Sequence, residues 1–238
     1  MIAVFAGTKE GRDYVYSRLS KGESILVSVA TDYGAALYEK LDGLTVICGR
    51  MNSEEIKRVL IGNKIKEVVD ATHPYAEEIT KNIKFCCDEL SIKYKLLERK
   101  AVLESFGQDE LLRFDSYRNI AQYLSDKTGN IMLTIGSNNI DYFNQSGMIE
   151  RTFIRVLPTS DVIKKCESLG FKANQIIGMQ GPFSQQMNES MFLDFGIKYL
   201  VTKDSGVTGG TLEKVRPALK LGLEVLVFSR PEKIRKGI

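Results

Sequence analysis

Short apolar runs rich in β-branched residues alternate along the chain with stretches of helical period. In the first half this pattern predicts five strands and four helices. The strand runs are IAVFAG, SILVSVAT, LTVICG, KEVVDAT and YKLLERK, and the helices are expected over 9–20, 33–40, 53–62 and 75–90. The runs are apolar along their whole length, which is typical of a parallel sheet covered by helices on both faces.

The same alternation resumes after a pause at residues 102–115. The runs NIMLTIG, RTFIRVLP, QIIGMQG, KYLVTKD and EVLVFSR predict strands, and helices are expected over 116–126, 138–145, 160–169, 184–195 and 211–221. Regular alternation with short connections favours right-handed crossovers. We therefore predict an α/β fold of two Rossmann-like, doubly wound parallel-sheet domains, residues 1–104 and 105–238, with a ligand cleft between them. Periodicity leaves open whether the last strand of each half stays in its own sheet.

Composition narrows the class of protein. The 238 residues are 43% hydrophobic and 26% charged, as in a globular protein with a sizeable core. The formal net charge is +3, and basic residues are interleaved with acidic ones, so no nucleic-acid partner is expected. Four scattered cysteines and one histidine predict no metal site. No leader-like segment and no apolar run of ~18 residues is present, so we expect a soluble, cytoplasmic protein without a membrane partner.

Ligands of open α/β sheets bind beyond the carboxyl ends of the strands, so the loops there hold the candidate residues. In the first half, the loop 7–12 (GTKEGR) is either an anion cradle or a helix start capped by Thr8. Asp32 stands where a Rossmann domain binds a ribose hydroxyl, or it caps the next helix. Arg50 either clamps a phosphate or carboxylate, or forms a surface ion pair.

The loop DATHPYA contains the only histidine of the chain. Pro74 disfavours helical geometry at His73 and suits the first turn of a helix. His73 is therefore either a satisfied structural residue of the turn or a group that faces a ligand at the sheet edge.

The second half offers further candidate anion-binding loops. TIGSNNI repeats the pattern of strand, glycine and helix, and IRVLP places Arg155 near a strand end. In GMQGPFS, Ser184 is expected to cap a helix. The richest loop is 202–214, where glycines, small hydroxyls and a lysine precede a helix. It is either a good anion site or a flexible crossover.

The chemistry that these loops favour is reduction with a bound cofactor. A nucleophile elbow, a close pair of carboxylates and metal-ligand spacing are all missing from the sequence. What remains are two nucleotide-binding-type sheets whose edges offer basic residues, hydroxyls and backbone N–H groups. That set suits a reductase in which the cofactor carries the chemistry and the protein supplies position and charge.

Seven segments, in order and spacing, resemble the precorrin-6A reductase family of cobalamin biosynthesis. They are GTKEGR, SVATDYG, CGR, DATHPYA, IRVLP, GMQGPFS, and LVTKDSG followed by EK. The resemblance covers essentially the whole chain, and DATHPYA together with QGPFS and TKDSG is its most specific part. It implies NADPH- or NADH-dependent reduction of one double bond in the macrocycle of precorrin-6A, or of its cobalt form, to precorrin-6B.

The site residues follow from the resemblance and from fold analogy. The nicotinamide nucleotide, NADPH or NADH, is assigned to Gly7, Thr8, Glu10, Gly11, Arg12, Thr31, Asp32 and Arg50. The anionic tetrapyrrole is assigned to Thr72, His73, Tyr75, Gln180, Gly181, Ser184, Lys203, Asp204, Ser205, Gly206 and Lys214. His73 is also the candidate catalytic proton donor, although we prefer a binding role for it. Family members often read K-N-S-G-G where this chain has KDSGV, so Asp204 adds a negative charge to the loop.

Other functions stay open at this stage. One is a nicotinamide-dependent reductase of another small substrate, but the Tyr-x-x-x-Lys pair of the short-chain type has no sensible match. A second is a non-catalytic nucleotide-binding sensor. A third is a methyltransferase, for which no glycine-rich S-adenosylmethionine loop is found. The sequence also leaves open the presence of cobalt in the substrate, the choice between NADH and NADPH, and the oligomeric state.

Overall fold

A computed structural model describes residues 1–97, 101–107 and 109–229. The chain divides into two compact units, whose described parts are residues 1–97 and residues 101–229. Leu103 packs in the core of the second unit, although the predicted domain boundary follows residue 104. Within the described residues, no helix is both long and apolar enough to cross a membrane.

The first unit is a five-stranded parallel sheet with helices on its crossovers. The strands lie in the order β3-β2-β1-β4-β5. In chain order the elements are β1 Ile2–Ala6, α1 Lys9–Leu19, β2 Ile25–Val29, α2 Asp32–Ala36, β3 Leu44–Cys48, α3 Ser53–Gly62, β4 Glu67–Ala71, α4 Glu77–Glu89 and β5 Lys93–Leu96.

The central strand β1 explains the unbroken apolar runs of the sequence. Successive side chains of a strand point to opposite faces of the sheet. Ala3 and Phe5 therefore pack in one core cluster, while Ile2, Val4 and Ala6 pack in the other. Both faces of the strand are buried, so every position of the run is apolar.

The second unit is a six-stranded parallel sheet. The strands lie in the order β6-β11-β10-β7-β8-β9. The elements are β6 Leu112–Phe114, α5 Tyr117–Ser125, β7 Asn130–Leu133, β8 Thr152–Val156, α6 Ser160–Ser168, β9 Ile176–Gly178, α7 Gln185–Asp194, β10 Ile197–Lys203, α8 Thr211–Lys220 and β11 Glu224–Phe228. Three short 3-10 turns cover Ile140–Phe143, Ile149–Arg151 and Ala173–Gln175.

Three predicted elements differ from the structure. The helix expected over 138–145 is only the 3-10 turn Ile140–Phe143, because the flanking Asn, Ser and Gly residues favour turns. The helix expected over 33–40 is the shorter α2. The pause at 102–115 contains β6, which the prediction missed because three residues show no usable periodicity.

The terminal strands of both halves pair within their own sheets. β5 pairs with β4, and β11 lies between β10 and β6. The last three residues of the run YKLLERK and the last residue of EVLVFSR lie outside the described residues. The predicted architecture of two parallel, doubly wound α/β sheets is confirmed.

Candidate functional site

Each sheet has a switch point, where the strand order reverses and a ligand crevice is expected. In the first unit β2 and β4 flank β1, so the loops after β1 and β4 meet there. A Cβ on Gly7 would stand 3.5 Å from the backbone nitrogen of His73, which shows how closely these loops approach. In the second unit β8 and β10 flank β7, so the loops after β7 and β10 form the equivalent place.

The loop after β4 is held by Asp70, which is fully buried. Its Oδ1 accepts hydrogen bonds from the Thr72 backbone N–H at 3.0 Å and from Thr72 Oγ1 at 2.7 Å. Its Oδ2 accepts one from the Tyr94 hydroxyl at 3.1 Å. Burial and the neighbouring Asp70 raise the pKa of Tyr94, so that hydroxyl stays a protonated donor. The predicted ligand residue Thr72 is therefore part of the scaffold of this loop.

His73 and Tyr75 lie next to each other, half-buried at the same edge. Their ring centroids are 5.6 Å apart, and the Tyr75 backbone N–H donates to His73 Nδ1 at 3.4 Å. The His73 carbonyl accepts from the Ala76 N–H at 2.8 Å, which closes the turn before α4. Because Nδ1 accepts, the neutral imidazole carries its proton on Nε2.

The loop after β1 is fixed by Thr8, which caps α1. Its hydroxyl accepts from the Gly11 N–H at 3.1 Å and donates to the Ala71 carbonyl at 3.1 Å. A Cβ on Gly11 would lie 2.7 Å from Ala71 Cβ, so only glycine allows this contact between helix and strand. Burial raises the pKa of Tyr38 to about 12, and the positive charge of Arg12 acts in the opposite direction. Glu10 lies in the first turn of α1.

The loops after β2 and β3 carry the remaining predicted nucleotide residues. Thr31, and not Asp32, caps α2, since its hydroxyl accepts from the Gly34 N–H at 3.1 Å. The Asp32 side chain is exposed and accepts a hydrogen bond from Cys48 Sγ at 3.3 Å. Arg50 is exposed directly after β3. The structure therefore leaves Asp32 and Arg50 available to solvent at the carboxyl edge of the sheet.

A pocket of about 280 Å³ opens at the switch point of the second unit. The predicted residues Gln180, Gly181 and Lys214 line it, and Ser184 lies beside it as the cap of α7. The other lining residues come from the end of β8, from the loops that follow β7, β8, β9 and β10, and from α7. They are Thr134, Gly136, Arg155, Val156, Leu157, Met179, Pro182, Phe183, Asn188, Thr208, Gly209 and Gly210.

Arg155 is the fixed charge of this pocket. Its Nη1 donates to Asn188 Oδ1 at 2.7 Å, and its guanidinium stacks over the Phe183 ring at 4.5 Å from the ring centroid. The Asn188 amide in turn donates to the carbonyls of Ser184 at 2.8 Å and Glu213 at 3.1 Å. Burial lowers the pKa of Arg155 to about 10, so the guanidinium stays charged at neutral pH.

Lys214 is the second cation of the pocket and is only 5% exposed. The described residues offer its ammonium no hydrogen-bond partner. Burial, reinforced by Arg155 and Lys203, lowers the pKa of Lys214 to about 7, against the opposing effects of Asp204 and Glu213. Burial also lowers the pKa of Lys203 to about 8. Three basic side chains are thus gathered at one strand edge.

The loop after β10 is held by Asp204. Its Oδ2 accepts from the backbone N–H groups of Val102 and Leu103 at 2.8 and 3.0 Å. Its Oδ1 accepts from the Gly206 N–H at 3.0 Å, and the Ser205 N–H donates to Thr211 Oγ1 at 3.0 Å. These contacts give Asp204 and Ser205 a scaffold role in this loop.

Sequence reasoning missed several residues of these networks. Asn188 sits in the middle of α7, where nothing in the pattern marks it as the partner of Arg155. Arg155 had a signal, its position at the end of β8, but only the structure shows it inside the pocket. Asp70 and Tyr94 were read as strand residues. Across the described residues, no group of three or more His, Cys, Asp or Glu side chains could hold a metal ion.

Comparison with known proteins places the chain in a family. A family model described as precorrin-6x reductase CbiJ/CobK matches residues 1–237. The chain is 32% identical over 235 residues to the cobalt-precorrin-6A reductase of Priestia megaterium, covering 98% of this chain and 91% of that protein. It is 30% identical over 237 residues to the enzyme of the same name from Salmonella typhimurium, covering 99% and 89%.

A solved structure named CobK precorrin-6A reductase has the same fold. It aligns with a TM-score of 0.79 at 19% identity, covering 97% of this chain and 88% of that one. The match of the family model over nearly the whole length, together with these relatives, confirms the resemblance seen in the seven segments. The chain belongs to the precorrin-6x reductase CbiJ/CobK family.

Proposed function

We propose that this protein reduces one double bond of a corrin-precursor macrocycle, converting precorrin-6A or its cobalt form to the 6B level. The observation that carries the proposal is the pocket of the second unit, lined by Arg155 and by the buried Lys214, in a chain of this family. The relatives from Priestia megaterium and Salmonella typhimurium are named cobalt-precorrin-6A reductase. Precorrin-type macrocycles bear many acetate and propionate carboxylates, and arginine and lysine side chains suit such groups.

The first unit fits a reduced nicotinamide nucleotide, NADPH or NADH. Its strand order 3-2-1-4-5 is the Rossmann order, and the start of α1 lies at the switch point. The close contact of Gly11 with Ala71 is the helix–strand approach that a dinucleotide fingerprint needs. We assign the phosphates to the N-terminus of α1 and the ribose to Asp32. When bound, the nucleotide supplies the hydride.

The macrocycle is assigned to the second-unit pocket, where Arg155 and Lys214 would bind a peripheral carboxylate. In the first unit, His73 and Tyr75 are proposed as ligand residues of the loop after β4. Asp70 keeps Thr72 in place, so Thr72 would act by orienting that loop. Holding the reacting groups at the right distance is the main contribution that such side chains make.

A proton must be added next to the carbon that accepts the hydride. The protonated Nε2 of a neutral His73 is one candidate donor, and water is another. We prefer a binding role for His73, because contacts of its Nδ1 and its carbonyl hold the residue in the turn before α4.

The test is anaerobic reduction of precorrin-6A and of its cobalt form, followed by absorbance, with NADPH and NADH in turn. We expect oxidation of at least one nucleotide with at least one of the two macrocycles. No turnover with any of the four combinations would refute the proposed function.

The partition of ligands has its own test. Arg12→Ala should raise the Michaelis constant for the nucleotide, and Lys203→Ala should raise that for the macrocycle. If both substitutions changed the Michaelis constant of only one ligand, the assignment of the two units would be wrong.

A further inference from the structure

Lys214 lies among charged side chains of both signs. Two cations act on it, Arg155 from β8 and Lys203 from β10, and two acids, Asp204 from the loop after β10 and Glu213 from α8. Lys214 itself is only 5% exposed and lines the pocket beside Arg155.

Among the described residues, neither acid forms a hydrogen bond or an ion pair with the Lys214 ammonium. Asp204 already accepts three backbone hydrogen bonds, so it is fixed by the loop. Glu213 Oε2 is buried without a hydrogen-bond partner. A buried charge without a partner is costly, and a buried lysine avoids the cost by losing its proton.

We propose that this pocket is a subsite for one carboxylate or phosphate group, and that Lys214 takes up a proton from solvent when that anion binds. The anion supplies a negative charge beside the Lys214 ammonium, and Arg155 is charged both with and without the anion. Binding is then linked to protonation of one amine, and the proton comes from the buffer. The pocket volume of about 280 Å³ gives room for such a group.

The expected direction follows from the lowered pKa of Lys214, which is about 7 in the empty pocket. At pH 8 the amine is then about nine-tenths neutral, so a bound anion should bring close to one proton with it. At pH 6 the amine is already charged, and uptake should fall to about one-tenth of a proton. Lys203, whose pKa is also lowered, contributes separately, so the readout is the part of the uptake that depends on Lys214.

The experiment is calorimetric titration of the full chain at pH 8 and pH 6, in two buffers of different ionisation enthalpy. The probes are tricarballylate, a small tricarboxylate, and NADP⁺ as the source of phosphate. Wild type is compared with Lys214→Met and Lys214→Arg. The matched control is Lys220→Met, which removes an exposed lysine from the same helix.

We expect wild type and Lys220→Met to take up about one proton more than Lys214→Met at pH 8 on binding tricarballylate. Lys214→Arg, which carries a permanent charge, should still bind the probe but without that uptake. Equal uptake in wild type and Lys214→Met, or no binding of either probe to wild type, would overturn the inference. Resonances of isotope-labelled lysine side chains give the charge of Lys214 directly, even if a variant folds poorly.

The identity of the natural anion rests on the proposed function, whereas the proton-linked subsite does not. Uptake that depends on Lys214 with tricarballylate but not with NADP⁺ supports a carboxylate of the macrocycle. The same uptake with NADP⁺ supports the subsite as a phosphate site and contradicts the partition of ligands between the two units. Reduction of precorrin-6A without any uptake would remove the subsite and leave the proposed function intact.

Discussion

The two switch points share a strand order and differ in charge. The central strand is β1 in the first sheet and β7 in the second. On one side of it lie the next two strands of the chain, β2 and β3 or β8 and β9, and on the other side lie the two that follow, β4 and β5 or β10 and β11. In the first unit the edge holds a buried carboxylate, Asp70, whose hydrogen bonds serve the loop itself. In the second unit Arg155 and Lys214 line a pocket at this edge, and Lys203 ends the neighbouring strand β10.

This difference separates two contributions: the fold determines where the loops converge, and the side chains determine which ligand binds there. The topology determines where loops converge, and it does so in the same way for both sheets. The buried side chains determine which ligand each edge suits. A loop stabilised by Asp70 presents backbone and aromatic groups, while the second edge presents charge that is costly to keep without a ligand.

The largest effect is expected from Lys214→Met, which should stabilise the empty protein. The unfolded chain binds the lysine proton up to pH 10.5, while the folded chain releases it near pH 7. Folding therefore carries a penalty that is full below pH 7, falls between pH 7 and 10.5, and vanishes above. At pH 7 its removal should raise the free energy of unfolding by up to about 4 kcal/mol.

Urea denaturation at pH 7 and at pH 10.5 measures this penalty. The gain from Lys214→Met should shrink strongly at the higher pH, and Lys220→Met should change stability by less than about 0.5 kcal/mol at either pH. If Lys214→Met lowered the free energy of unfolding at pH 7, the charge of Lys214 would not be a cost to folding.

In the first unit we expect a substitution that lowers the free energy of unfolding. Asp70→Ala leaves the Thr72 N–H and the Tyr94 hydroxyl without their acceptor in a buried place, which should cost about 3 kcal/mol of unfolding free energy. Asp32→Ala is the matched control, because Asp32 is exposed and its loss should cost less than about 0.5 kcal/mol. Equal effects of the two substitutions in urea denaturation would show that Asp70 is not the support of its loop.

Most of the fold could be predicted because a strand that is buried on both faces is apolar at every position. The run Ile2–Ala6 is apolar at every position, and β1 lies at the centre of its sheet. The 3-10 turn at Ile140–Phe143 was misread because a buried pair three residues apart fits one turn as well as the start of a helix. The short strand β6 is defined by its pairing with β11, and no local sequence pattern indicates that pairing.

The candidate site could be predicted only in part, for a related reason. The loops after the strands pointed to Gln180 and Lys214, and both line the pocket, although Lys214 lies inside α8 and not in the loop before it. The sequence could not show that Asn188, 33 residues after Arg155, would hold its guanidinium, because that contact depends on how α7 packs on the sheet. Nor could it show that Asp204 serves backbone groups a hundred residues earlier in the chain.

A smaller effect is expected when His73 is replaced at the first edge. If His73 binds the macrocycle, His73→Ala should raise the Michaelis constant for that ligand about tenfold and change the maximal rate by less than about threefold. Steady-state kinetics with saturating nucleotide gives both values. A fall of the maximal rate by about 100-fold or more with an unchanged Michaelis constant would instead make His73 the proton donor.

The smallest effect concerns the nucleotide and the exposed carboxylate of Asp32. If Asp32 accepts from a ribose hydroxyl, its charge disfavours the 2′-phosphate of NADPH. Asp32→Asn should then raise kcat/KM for NADPH relative to NADH by about threefold, since charges in contact with solvent interact weakly. The control is Asp13→Asn, which alters an exposed acid on α1 that pairs with Lys9. A ratio that is unchanged by Asp32→Asn, or changed equally by Asp13→Asn, would move the ribose away from Asp32 and leave the first edge without its assigned acid.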